Sequence, residues 1–498
     1  MLFNSFIFVF AFLPISVIGY YGISKYSHRM AAAWLVLASF VFYAWWNPLF
    51  VILLAASIAG NYVVGLLLQA YERRPQIQTA ILAAGIGANL CLLCYYKYLD
   101  YAVVLIRRLG IHLDWETGGI LLPLGISFFT FTQIGYLIDC KTGIAKGRRL
   151  LDYALFVTFF PHLIAGPILH HREMMPQFED PATYKFKAEN LAVGLTIFVI
   201  GLAKKVLVAD QLAPMSNLGF AYATQLGLMA SWTTILCYSM QLYFDFSGYS
   251  DMAIGLARMF GIRFPLNFNS PYKATSIIDF WQRWHMTLTR YLTLYLYNPI
   301  ALWVTRRRLA AGKPIASQGA TTLLGFASLV AFPTCVTMFL AGVWHGAGTN
   351  FAVFGLLHAC YLTINHAWRI FGPKLGGRHA VAVWARVAAS GALTYLAVLV
   401  AQVFFRAPSF TTAIGLLAGM AGLRGWTVGT IPLEDALLVS QVWQQLMDPL
   451  TGAKLLACFV IVLGAPNTAE LLARYDPILG RVRTNLPAAL QWKPSLAW

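Results

Sequence analysis

The chain has 498 residues, of which 59% are hydrophobic and only 11% charged, with a mean hydropathy of +0.65. Soluble domains carry about 25% charged residues, so this composition excludes a soluble protein of the same size and leaves a polytopic membrane protein. Lys and Arg total 36 against 19 Asp and Glu, a formal charge of +17; we read this as membrane topology, not nucleic-acid binding. Such residues collect in cytoplasmic loops, and here they cluster between apolar runs: Lys25 and Arg29, Arg73 and Arg74, Lys146 with Arg148 and Arg149, and Arg306 to Arg308.

The N-terminal MLFNSFIFVFAFLPISVIGYY has neither a basic n-region nor an A-x-A-like cleavage site and reads as a retained first span. A span needs about 20 apolar residues. Stretches of that kind begin near residues 4, 30, 49, 79, 119, 190, 226, 321, 350, 383 and 453, giving an expectation of about eleven transmembrane helices. Cys91 and Cys94 form a C-x-x-C inside an apolar helix, where cysteine acts as a small hydrophobe; no metal site is expected. The stretch 121–139 carries Pro123, Gly125, Ser127, Thr130, Thr132 and Gln133 and reads as a packed span with small residues at helix contacts. Residues 152–170, broken by Pro161, Gly166 and Pro167, and 286–304, broken by Arg290 and Pro299, read as spans or re-entrant segments. The polar stretch 171–190 suits a small amphipathic helix or loop, and 407–450 an interfacial region. No internal repeat is visible, which argues against transporter folds built from paired halves.

Ionisable groups inside a membrane protein are costly and usually face a cavity or pathway. Three places therefore carry the chemistry. In YFDFSGYSDMAIG (243–255), Asp245 and Asp251 flank Ser247, Gly248 and Tyr249. The carboxylates either cap helix ends or pair with Arg258, or they serve a site. In NFNSPYKATSIIDFWQRWHMTLTRYL (267–292), Ser276 and Asp279 have the form of a capping box, so a helix is expected to begin there. On such a helix Gln282, His285 and Thr289 would share a face, with Trp281 and Trp284 at an interface or groove wall and Asp279–Arg283 as a structural i, i+4 pair. In AGVWHGAGTN (341–350), glycines at 342, 346 and 348 surround His345. Irregular backbone at membrane depth is tolerated only where it is buried in protein or lines a water-filled cavity, so His345 is expected at a cavity wall. His358, in the next apolar run, reads as a packed residue.

These blocks resemble the membrane-bound O-acyltransferase (MBOAT) family, most closely its bacterial branch of alginate O-acetyltransferase membrane subunits. The resemblance rests on FYAWWNP (42–48), LPLGISFFTF (122–131), FFPHLIAGPI (159–168), YFDFSGYSDMAIG, NFNSPY (267–272), DFWQRWHMTLTRYL (279–292) and GVWHGAG (342–348); beyond them, only FFRA (404–407) adds to a match in hydropathy. It implies an all-α polytopic fold as a single domain over 1–498, its tilted helices ringing a thin centre with a tunnel and funnel. The family's near-invariant histidine falls on His345 and its upstream polar position on His285, the catalytic candidates. Trp344, Gln282, Trp281, Asp245, Ser247, Tyr249, Asp251 and Asn350 are carried as candidates for the tunnel or substrate site.

The implied function is O-acetyl transfer from cytoplasmic acetyl-CoA, with no bound cofactor and no metal, across the inner (cytoplasmic) membrane for a secreted polysaccharide such as alginate or cellulose. The tryptophan-rich FYAWW and WHMTL blocks favour this acetyl branch over a sister group that moves D-alanine towards teichoic acids. Expected partners are acetyl-CoA, membrane lipid, an SGNH-type extracytoplasmic acetyltransferase and a polysaccharide synthase or export complex; nucleic acid is not expected. A hydroxyl is a weak nucleophile, so the site must supply a base. A neutral His345 could be that base, or could itself carry the acetyl group. His285 would orient the thioester, donate to the oxyanion or line the tunnel. A different acyl cargo, a transporter and a non-enzymatic scaffold are the competing readings.

Overall fold

The computed structural model describes residues 1–111, 119–145, 149–315, 319–373, 380–426 and 436–493; Lys146 and Arg148 lie outside them. Helices occupy the apolar stretches expected from the sequence, but those stretches are not equivalent. Among the described residues six helices are long and apolar enough to cross a membrane: Leu49–Ala70, Pro75–Arg108, Ala188–Ala221, Leu323–His345, Val383–Arg406 and Gln441–Gly464. Phe8–Ser24, His28–Ala44 and Phe410–Met420 are apolar but shorter. The helix expected near residue 119 starts later, at Ile126, because Gly125 takes a left-handed φ of 73° immediately before it. Local chemistry sets other starts as well. Pro75 opens one helix at a position that needs no N–H, while the Ser27 and Ser409 hydroxyls cap two more by accepting from Met30 and Thr412. The 152–170 stretch is a broken helix, Leu150–Thr158 followed by Phe160–Leu163. Of the two readings of 171–190, helix or loop, His171–Glu179 takes the helix.

The chain divides into two compact units. One comprises residues 1–202, 248–266 and 468–498. Its centre is aromatic: Phe8 lies 5.9 Å from Phe42 and 6.1 Å from Phe160, ring to ring. Two helices approach each other closely through glycine. A Cβ on Gly194 would stand 2.6 Å from the Gly255 carbonyl oxygen, and one on Gly201 the same distance from that of Gly248. Small residues at such crossings let backbones meet, which gives the glycines of the 243–255 block a packing role. Between Leu49–Ala70 and Pro75–Arg108, Asn61 and Asn89 exchange amide hydrogen bonds of 2.7 and 3.2 Å.

The other unit comprises residues 203–247 and 267–467. Its core gathers Met240, Tyr243, Phe268, Tyr272, Phe280 and Trp281 with residues of the later helices. The helices Leu323–His345 and Thr349–Phe371 form a hairpin joined at Gly346–Gly348. They pack backbone to backbone: a Cβ on Gly342 would lie 2.7 Å from Gly355 Cα.

Candidate active site

The segment 267–292 is where the structure departs most from a sequence expectation. Ser276 does cap a helix, accepting from the Asp279 N–H at 3.2 Å, and Asp279 pairs with Arg283 at 2.7 Å. That helix, Ile277–Trp281, ends after five residues. His285 sits in left-handed backbone, φ 43° and ψ 51°, as the N-cap of a second helix, Met286–Leu292. Gln282, His285 and Thr289 therefore do not share one helical face. The cause is tertiary. The Asn267 carbonyl accepts from Met286 N at 2.9 Å, and Asn269 N donates to the Arg283 carbonyl at 2.9 Å. The Asn267 side-chain oxygen accepts from Thr287 Oγ1 at 2.8 Å and from Thr287 N at 3.4 Å, and lies 3.0 Å from His285 Nδ1. Left-handed backbone at a non-glycine residue costs of order 1–3 kcal/mol and persists only where its surroundings over-determine it; the Asn267 bonds do so here.

His345 is the last residue of its helix and is half-buried. Its ring packs edge-on against Phe405 at 5.1 Å, Phe354 at 5.8 Å and Trp344 at 4.9 Å. Gly348 takes φ 151° and ψ 155°, a region essentially closed to other residues, so the chain can turn directly beneath the imidazole.

Three imidazoles, His285, His345 and His358, line one cavity of about 50 Å³ together with Trp281, Gln402 and a shell of apolar side chains that includes Phe246 and Phe405. Among its described lining residues there is no carboxylate. His285 and His358 are each 2% exposed. Trp281 donates its indole N–H to His358 Nδ1 at 3.2 Å. On its other side Trp281 borders a second cavity, of about 300 Å³, lined by polar groups including Gln282, Thr289, Thr293, Thr337 and His366.

The structure thus brings His285, His345 and Trp281 together and places Gln282, exposed, in the outer groove. Trp344 packs on His345 from outside the chamber lining. Asn350 donates to the Ala407 carbonyl at 2.8 Å. The 243–255 candidates do not line the chamber. Asp245 pairs with Lys205 at 2.7 Å, Asp251 accepts from Thr468 at 2.6 Å, and Tyr249 stacks on Phe3 at 4.8 Å. Ser247 is buried, and its hydroxyl has no hydrogen bond among the described residues. Arg258 is held by Glu189 and the Tyr475 carbonyl, not by either aspartate. Sequence reasoning missed Asn267, Gln402 and Phe405 and set His358 aside. Asn267 lay inside the NFNSPY block and Phe405 inside FFRA, while an isolated histidine or glutamine in an apolar helix gave no local signal.

Comparison with known proteins agrees in kind. The profile of the membrane-bound O-acyltransferase family matches residues 141–312. A peptidoglycan O-acetyltransferase of Helicobacter pylori is 39% identical, covering 89% of this chain and 84% of its own length. A probable alginate O-acetylase AlgI of Azotobacter vinelandii is 38% identical, over 91% and 87%. A teichoic acid D-alanyltransferase of Bacillus subtilis is 30% identical over half of this chain and 60% of its own.

Proposed function

This chain belongs to the membrane-bound O-acyltransferase family, and from that premise we propose that it transfers acetyl from cytoplasmic acetyl-CoA to a hydroxyl, for O-acetylation of a cell-envelope or secreted polysaccharide. The carrying observation is the chamber of about 50 Å³ with His285, His345 and His358 in its wall and no carboxylate among its described lining residues. Holding one water takes about 10–15 Å³. The chamber therefore suits a three-heavy-atom acetyl group better than a long acyl chain. A D-alanyl group would bring an ammonium into this apolar wall without a counter-charge, at a high desolvation cost. Both arguments favour acetyl over the alternative cargoes.

The chemistry follows from the groups present. The acceptor hydroxyl oxygen forms a bond to the thioester carbonyl carbon while its proton passes to the His345 imidazole. The tetrahedral intermediate then expels the CoA thiolate, which takes up that proton as the C–S bond breaks. General-base help of this kind is worth about 10²–10⁴-fold. Basic loops suit a cytoplasmic, anionic donor and an inner-membrane location. The acceptor on the far side would be an SGNH-type partner that passes acetyl to the polymer.

The test is a His345→Ala variant in membranes or proteoliposomes supplied with labelled acetyl-CoA. We expect label transfer and polymer acetylation to fall by about 10²–10⁴-fold while the protein accumulates normally. Undiminished acetylation would overturn the assignment.

A further inference from the structure

We infer that His358 is a further catalytic residue, its Nε2–H donating to the carbonyl oxygen of the acyl group as that oxygen gains charge, and that Trp281 is the positioning residue that fixes this orientation. The inference rests on the acyltransferase reading and deepens it.

Two hydrogen bonds assign opposite roles to two imidazoles in the same wall. A neutral imidazole has one donor and one acceptor nitrogen. Indole nitrogen only donates, so the 3.2 Å contact from Trp281 makes His358 Nδ1 the acceptor and puts the proton on Nε2. That nitrogen takes no hydrogen bond among the described residues, although His358 is 2% exposed and lines the chamber. The ring has little freedom to turn away: Phe354 meets it edge-on at 4.7 Å, Trp281 edge-on at 5.1 Å, and Phe280 lies parallel at 6.4 Å.

His285 is set the other way. The Asn267 atom facing it receives the Thr287 backbone N–H, so that atom is the amide oxygen, and His285 Nδ1 at 3.0 Å must carry the proton. Its Nε2 is left as a lone pair, which repels an oxyanion. The role of oxyanion donor, which the sequence suggested for His285, thus moves to His358. In the step, the carbonyl π pair moves onto oxygen as the hydroxyl adds, His358 Nε2–H donates without transferring its proton, and the pair returns as the C–S bond breaks.

Removing one oxyanion-hole donor costs about 10²–10³-fold in kcat. We expect His358→Leu, close in shape but unable to donate, to lose kcat in that range with the KM for acetyl-CoA nearly unchanged. His358→Gln, which keeps an N–H donor, should recover part of it. Both should accumulate in membranes. Full kcat in His358→Leu, or equal loss in the Leu and Gln variants at equal protein level, would overturn the inference. Should the Leu variant not accumulate, nitrogen-15 histidine NMR of the wild-type protein decides. A protonated Nε2 and bare Nδ1 at His358, lost in Trp281→Phe, support it; a protonated Nδ1 overturns it. His345→Ala separates the two levels: if that variant keeps activity the acyltransferase mechanism fails, whereas a dead His345→Ala beside a fully active His358→Leu sinks only this proposal.

Discussion

Two polar interruptions of this apolar chain, 243–255 and 267–292, look alike in sequence and end up opposite in use. In the first, the carboxylates are consumed by the protein: Asp245 by Lys205, Asp251 by Thr468. In the second, one nitrogen of His285 is consumed by Asn267 and the other is left facing a cavity; His358, held by Trp281, repeats the pattern. A group whose hydrogen-bonding capacity is fully used holds helices in place. A group pinned at one end and open at the other can act on a ligand. The difference lies in the partners that the fold brings up, not in the residue types.

The largest break in that comparison should come from Asn267→Leu. Three donors converge on the Asn267 side-chain oxygen, and leucine would release the His285 ring and its tautomer. At metal-bound imidazoles, loss of the hydrogen bond that fixes the ring costs about 10- to 100-fold, and we take that range as the scale here. We expect a fall in kcat of that size in an acetyl-CoA transfer assay. Wild-type turnover would mean that the pinning of His285 is irrelevant to function.

Much of the fold was legible because apolar length is a strong signal: helices lie where hydropathy put them. Capping chemistry was legible too, since Ser276, Asp279 and Arg283 sit a turn apart and interact locally. The break at His285 was not. Nothing in WQRWHMT carries a glycine or proline, and the left-handed turn is imposed by Asn267, 18 positions away in the chain. The same holds for His358, whose partner Trp281 is 77 positions distant. Local pattern found His285 and His345 as candidates, but only tertiary contacts tell which nitrogen each ring presents.

On the other side of the comparison, Asp251→Ala should act on stability alone. It removes the hydrogen bond of 2.6 Å that Asp251 accepts from the buried Thr468 hydroxyl. A hydrogen bond to a charged group is worth about 1.5–3 kcal/mol. We expect earlier thermal unfolding in detergent, with kcat per folded molecule unchanged. A selective loss of kcat with no loss of stability would move Asp251 into the catalytic group and dissolve the distinction.

The smallest effect belongs to Asp245→Asn, and it sharpens the contrast most. Asp245 is 45% exposed, and its partner Lys205 is shared with Asp210, also at 2.7 Å. Removing one carboxylate leaves the ammonium paired with the other. Ion pairs this exposed are worth about 0–1 kcal/mol, so both stability and acetyl transfer should stay near wild type, measured by thermal unfolding and label transfer in parallel. A loss of transfer comparable to that of Asn267→Leu would place Asp245 on the substrate's route despite its ion pair. It would then no longer hold that a polar group spent on the protein is unavailable to the reaction.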